Sequence, residues 1–147
     1  MPAIYQKLGL NFQYPDTWTL DEGEALEGER SVSVYSPGGA FWSVMVHPTS
    51  QAPQDLVDTV LAAMKQEYDD LDAEAVAETV AEVELVGCDI NFYCLDLTNT
   101  AVVRSCRTAD GTLLILWQTD DRELEEVEAV FRAITLSLLQ MDSGRGG

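Results

Sequence analysis

The sequence predicts an α+β protein built as a three-layer α/β/α sandwich, with a central, mostly antiparallel sheet of about six strands and two main helices. Three observations predict it. Two apolar runs within 101–118, AVVRSCR and TLLILWQ, are joined through Asp110-Gly111, a dipeptide that favours a tight hairpin turn. The second run places Leu114 and Leu116 on one face and Leu113, Ile115 and Trp117 on the other, so this strand is apolar on both sides. Two segments, beginning at Pro53 and near Leu124, carry apolar residues at helical spacing and can cover one face each. A strand buried on both faces usually belongs to a parallel sheet, but one that arrives by a hairpin is antiparallel to its neighbour. Covers on both sides reconcile the two facts.

The elements follow in order. Leu10–Tyr14 alternates as a half-buried strand, Pro15-Asp16 breaks it, and Thr17–Leu20 resumes, which implies a short hairpin or a bent strand. Asp21–Arg30 is charged, carries two glycines and has little to bury, so it reads as a mobile loop. Ser31–Ser36 is a strand with Val32 and Val34 on one face; Pro37-Gly38-Gly39 turns the chain into a second strand, Ala40–His47. That strand is also apolar on both sides, with Trp42, Val44 and Val46 against Phe41 and Met45, and is expected to be central. Pro53–Tyr68 forms a helix on the stripe Leu56, Val57, Val60, Leu61, Met64 and Tyr68, and Pro53 suits its first turn.

From Asp69 to Val86 the pattern is ambiguous. Ala77, Thr79, Ala81, Val83 and Leu85 alternate with acids as an edge strand would, while Val76, Val80 and Val83 fit a helix; a strand over Thr79–Val86 is the preferred reading. Cys88–Leu97 and Ala101–Thr108 then pair around an assumed Thr98-Asn99 turn, and Asp110-Gly111 opens the next hairpin. Asp120 and Glu123 resemble a capping box ahead of the second helix, whose stripe is Leu124, Val127, Val130, Phe131, Ile134 and Leu138. Residues 1–139 are expected to form a single domain, the default for a chain of 147 residues, and 140–147, ending SGRGG, a disordered tail.

Composition narrows the function. Mean hydropathy is −0.04 and no apolar run reaches the roughly 18 residues of a membrane helix. The start MPAIYQKLGLNFQYP has no charged leader and apolar block, so a cytoplasmic location is expected, although removal of a signal segment would leave the same start. The net charge of −18 argues against binding nucleic acid or an anionic membrane surface by charge. The excess sits mid-chain: from Glu67 to Asp89 nine acids occur without a base, a solvated face or a dock for a cationic partner.

The three cysteines, Cys88, Cys94 and Cys106, are odd in number and lack CxxC spacing, which indicates structural thiols. His47 is the sole histidine and a slender basis for a triad or a metal site. Asp69, Asp70, Asp72 and Glu74 could approach a hard cation, but counted from Asp70 the loop has Ala75 where an EF-hand needs glycine and Ala81 where it needs glutamate. No cofactor is expected, and phosphate chemistry is not indicated: Gly38-Gly39 lies between strands and serves a turn. With two-residue turns as assumed, Tyr93 lies opposite Arg104 and Arg104 opposite Trp117, setting a guanidinium between two rings. That trio is either a cross-strand stack fixing register or a candidate recognition patch for a carboxylate or peptide. Lost stability alone on Arg104→Ala would sink the recognition role.

The stretches GLNFQYPDTW, VELVG and FRAITLSL, set in the order strand pair, strand pair, helix, meander, helix, resemble the PsbP-like family over roughly Leu8 to Leu139. The resemblance implies an antiparallel sheet between helices, a fold shared by the photosystem II extrinsic subunit, a Ran-binding nuclear import factor and bacterial chaperones of type VI secretion effectors. The matching residues, Phe12, Trp18, Phe131 and Ile134 with the turn at Pro15, are structural. The expected function is a non-catalytic protein-interaction module, not an enzyme, whose partner is another protein, potentially cationic. The alternatives are a type VI effector chaperone and a small enzyme or metal-binding protein; the sequence leaves oligomeric state open.

Overall fold

A computed structural model describes residues 2–7, 9–22 and 30–146, with side chains through residue 140. Among the described residues nine strands and two helices follow in order: β1 (Pro2–Lys7), β2 (Leu10–Pro15), β3 (Thr19–Asp21), β4 (Arg30–Tyr35), β5 (Phe41–His47), α1 (Pro53–Glu67), β6 (Leu71–Val80), β7 (Val83–Cys94), β8 (Leu97–Thr108), β9 (Gly111–Asp120) and α2 (Leu124–Gly146). Seven strands form one fully antiparallel sheet in the order β3-β4-β5-β9-β8-β7-β6, while β1 and β2 make a separate two-stranded sheet. The architecture is α+β, with one more strand in the main sheet than expected and a second sheet beside it. The expected loop at Asp21–Arg30 falls mostly on residues outside the described ones, and so do the side chains of the expected tail.

β9 takes the central place its two apolar faces require. Leu113, Ile115 and Trp117 enter a core cluster with α2, and Leu114 enters a second cluster with α1. Its neighbour β5 divides in the same way: Trp42, Val44 and Val46 join the α2 cluster, while Met45 packs toward α1. Pro53 stands in the first turn of α1, and Leu56 and Val57 are its buried contacts with the sheet. α2 contributes Val127, Phe131, Ile134, Leu138 and Leu139.

The β1–β2 hairpin completes the α2 core. Phe12 is fully buried and its ring lies 5.0 Å from Trp42 and 5.1 Å from Tyr5; Trp117 in turn packs against Phe131 at 5.1 Å, the rings tilted by 32°. Two hydrogen bonds fix α2 over this aromatic floor: Trp42 Nε1 donates to Thr135 Oγ1 (2.9 Å) and the Gln13 amide donates to Ser137 Oγ (2.9 Å). β2 and β3 are therefore neither a hairpin with each other nor one bent strand, the two alternatives that 10–20 left open; each pairs elsewhere, β2 with β1 and β3 with β4.

The hairpin turns correct the sequence reading. The strand placed over Thr79–Val86 is two strands joined at Ala81-Glu82, with φ of 51° and 66°; β6 begins eight residues earlier, at Leu71, and is the sheet's outer strand. The next turn falls at Leu95-Asp96, with φ of 53° and 64°, and not at Thr98-Asn99. Positive φ at both central residues is the type I′ geometry, which selects Asn-Gly and strains other residues. The third turn is Ala109-Asp110, with Gly111 opening β9 as the partner of Thr108. Gly111 is needed for closeness: a Cβ there would meet the His47 carbonyl oxygen on β5 at 2.5 Å.

Two outcomes follow. Leu95 is 91% exposed and loses no packing on substitution, so the double variant Leu95→Asn, Asp96→Gly should raise unfolding free energy by about 1 kcal/mol in urea denaturation. The Tyr5 phenol, buried and donating to Glu22 at 3.1 Å, is pushed up to about 12, first by burial and then by that hydrogen bond. A raised folded value stabilises fully below the ordinary value of 10 and is lost as pH climbs to 12. The melting temperature should therefore fall more steeply across that window in the parent than in Tyr5→Phe.

Candidate recognition surface

Arg104 sits in the middle of β8, paired with Gly87 of β7 on one side and Ile115 of β9 on the other. Its side chain is only 8% exposed, and a charge so placed must be compensated. Nε donates to Glu78 Oε2 on β6 at 2.5 Å, and Nη1 donates to the carbonyl oxygens of Val103 (2.9 Å) and Cys88 (3.3 Å). Asp89 Oδ1 lies 2.9 Å from Nη2 but accepts no hydrogen bond there, so that contact is purely ionic. Arg104 thus reaches across β7 to the next strand. Gly87, directly opposite, leaves the room: a Cβ there would collide with the Val103 carbonyl.

Beyond the guanidinium, between the sheet and α2, lies a cavity of about 210 Å³ lined by Val102, Ile115, Trp117, Arg132, Thr135 and Leu136, with Arg104, Glu78 and Val80 at its β6 side. Arg104 and Trp117 are brought to this one cavity. They are diagonal neighbours and not opposite each other, because Trp117 pairs with Val102. Trp117 is 4% exposed, a core residue forming the cavity floor. Tyr93 is not brought there. It pairs with Thr98, six residues from Arg104 along β8 and about 20 Å away at ordinary strand rise, and is 58% exposed. The register set by Leu95-Asp96 separates the trio that a Thr98-Asn99 turn would have aligned. Glu78, Asp89 and Gly87 are the residues sequence reasoning missed. A lone glycine inside a strand pattern, within VELVG, was the signal for a close approach.

Outside this cluster the α2 side of β6–β8 turns polar. Asp72 and Glu74 are exposed on β6, and Asn91 and Tyr93 on β7. Asp69, Asp70 and Asp72 open onto a depression of about 530 Å³ with Asn91, Tyr93, Thr98 and Asp121. Among the described residues no three of His, Cys, Asp or Glu gather closely enough to hold a metal ion. His47 ends β5 opposite Thr112, as its place in the sequence implied. Burial raises the Cys88 thiol above its ordinary value, the reverse of what a nucleophile needs. The Asp120 carboxylate, which accepts from the Arg122 amide at 3.0 Å, is lowered mainly by the Arg122 side chain; it holds the turn before α2.

An acidic α+β protein with a seven-stranded antiparallel sheet, a second small sheet and two helices is a recognisable class. Its fold is PsbP-like. The solution structure of cyanobacterial PsbP (CyanoP) from Synechocystis sp. PCC 6803 matches at a TM-score of 0.57 and 18% identity, over 92% of this chain and 90% of that one. A crystal structure from Pseudomonas aeruginosa, of a protein of unknown function described as a putative regulator, matches at 0.56 and 13%, over 93% and 95%. LpqN, involved in cell envelope biogenesis of Mycobacterium tuberculosis, matches at 0.51 and 10%, over 91% and 87%. At these identities the likeness carries the fold alone. No protein-family model and no curated protein matches the chain.

Removing one partner of a buried ion pair costs about 3–5 kcal/mol; Glu78 and Asp89 keep 30% and 44% of their side-chain surface, which lowers the penalty. Arg104→Ala should therefore destabilise by about 2 kcal/mol in urea denaturation, and Glu78→Gln added to it should cost less than it does alone.

Proposed function

We propose that this chain is a non-catalytic protein-interaction module that receives a cationic partner on the outer end of its sheet. The observation that carries this reading is where a run of acids without a base falls: Asp72, Glu74, Glu78, Glu82, Glu84 and Asp89 lie on the β6–β7 hairpin at the outer margin of the sheet, and Glu67, Asp69 and Asp70 lie at the end of α1 and in the loop leading into that hairpin. Charges of one sign on one margin steer an oppositely charged partner and set its orientation. We infer also that the helices sandwich the sheet as α/β/α, supported by the two core clusters that draw on alternate residues of β9. A cytoplasmic location goes with the proposal, with Cys88, Cys94 and Cys106 kept as thiols. Among the described residues no helix is long and apolar enough to cross a membrane.

A second reading, a chaperone for a bacterial secretion effector, draws on one different feature. A groove of about 510 Å³ runs between β2 and α2, lined by Tyr14, Pro15, Val130 and Ile134, with Ala129 and Ala133 on its α2 wall, and such a trough can shelter an apolar helix.

The two readings part on salt. Immobilised protein exposed to lysate of the source organism should capture a saturable partner that falls off by about tenfold between 50 and 300 mM salt, and the double variant Asp72→Asn, Glu74→Gln should weaken it comparably. A partner insensitive to both salt and the variant would favour the groove over the acidic margin.

A further inference from the structure

We propose that the open edge of β6 takes up an extended, basic segment of the partner protein as an eighth strand of the sheet. The inference rests on the reading of the chain as a protein-interaction module and names the surface and the chemistry of what it receives.

Among the described residues, β6 is ten residues long and hydrogen-bonded on one side only, to β7, whereas the opposite edge, β3, has three residues. The groups that face outward can be identified. A two-residue turn at Ala81-Glu82 makes Val80 and Val83 the hydrogen-bonded pair that closes the hairpin. Bonded pairs then recur at every second residue: Glu78 with Leu85, Val76 with Gly87, Glu74 with Asp89, Asp72 with Asn91. The Leu95-Asp96 turn gives the same answer independently. It spends the even-numbered residues of β7 on β8 and leaves the odd-numbered ones for β6. The N–H and C=O groups directed away from the sheet therefore belong to Ala73, Ala75, Ala77 and Thr79. All four residues are exposed and have small side chains, so an approaching backbone meets no obstruction.

A long open edge invites aggregation, and proteins usually blunt one with lysine, proline or a bulge. LDAEAVAETV contains no lysine and no proline, and its pairing with β7 runs unbroken from Leu71 to Val80. What it carries instead is Asp72, Glu74 and Glu78, one on every bonded position except Val76 and Val80. Side chains of paired strands stand about 5 Å apart, close enough for like charges to repel and opposite charges to attract. A second copy of β6 would set carboxylate against carboxylate and is rejected. A strand with lysine or arginine at alternate positions is admitted, and the net charge of −18 draws it in. The same residues exclude self-association and select the partner.

Three peptides test this: nine residues alternating Lys and Val, the same with Glu for Lys, and the Lys peptide N-methylated throughout, which keeps its charge and loses its backbone donors. Titrated into the full chain at 50 mM salt by calorimetry, the Lys peptide should bind and slow hydrogen exchange at Ala73, Ala75, Ala77 and Thr79. The Glu peptide should bind at least tenfold more weakly, and so should the N-methylated one. Ala75→Pro, which removes an outward N–H and no ladder bond, should lower affinity for the Lys peptide at least tenfold with an unchanged melting temperature. Equal binding of the Lys peptide and its N-methylated form, or no binding of the Lys peptide, overturns strand addition. A salt-sensitive partner captured equally well by Ala75→Pro also overturns it while leaving the interaction module standing; loss of any such partner from the parent overturns the module itself.

Discussion

The two-sided burial of β9 is the constraint on which the rest of this molecule depends. Leu114 faces α1 while Leu113, Ile115 and Trp117 face α2, so the strand cannot lie at an edge or on a solvated face without exposing one row or the other. At about 25 cal/mol per Å² of apolar surface, each large side chain left in water would cost about 2 kcal/mol, and a core cluster on each face of the strand avoids it. The central place of β9 between β5 and β8 follows, and so does the matching pattern on β5. α1 alone is a sufficient cover for its side, where Leu56 and Val57 meet six other buried residues. The other side is larger, and α2 needs the β1–β2 hairpin beside it. Phe12 fills the space that α2 leaves over Trp42, and the bonds to Thr135 and Ser137 lock hairpin, sheet and helix together.

Toward β6 the covers run out, and Arg104 marks the boundary. On the core side of it lie Val102, Ile115 and Trp117; on the other lie Asp89, Asn91 and the acids of β6. A guanidinium suits this border because its stem packs as an apolar chain while its planar head donates to two carbonyls and one carboxylate and pairs ionically with a second, over three strands. A buried ion cluster is weak support for stability in itself. Its geometry is demanding, though: only the present register puts Gly87 opposite Arg104 and Glu78 within reach, so a slipped β6 or β7 would leave a buried charge unmatched.

The sequence reading located what depends on side-chain periodicity and missed what depends on turn chemistry. The faces of β5 and β9, the two helical stripes and the turn at Pro37-Gly38-Gly39 were legible because burial imposes a period of two or 3.6 on the residues themselves. Ala81-Glu82 and Leu95-Asp96 were not, because neither dipeptide prefers positive φ; flanking strands hold them there against local preference. Thr98-Asn99, with better turn residues, drew the assignment three positions along and carried Tyr93 with it. An even shift in pairing preserves the face, which is why Arg104 and Trp117 still share a cavity although both partners were misassigned. β1 was missed for another reason: PAIYQK buries only Tyr5, too little to signal a strand.

The position of the acids along the sheet bears on what kind of partner the fold can tolerate. A charge of −18 spread evenly would act as a solubilising coat, screened within about 10 Å at ordinary ionic strength and indifferent to orientation. Six acids and no base lie on the outer β6–β7 hairpin, whose strand β6 is the longer of the main sheet's two edges among the described residues. Arg104 neutralises part of that charge, but from behind: it is tied to Glu78 and Asp89 and nearly sealed from solvent, whereas Asp72 and Glu74 stand exposed farther along the strand. The arrangement therefore has a polarity. The end near the Ala81-Glu82 turn is anchored by a buried cation, and the end near Leu71 presents uncompensated charge beside outward-facing backbone. An extended basic chain would gain most by seating its cations toward Asp72 and Glu74, which sets both the register and the end from which pairing begins.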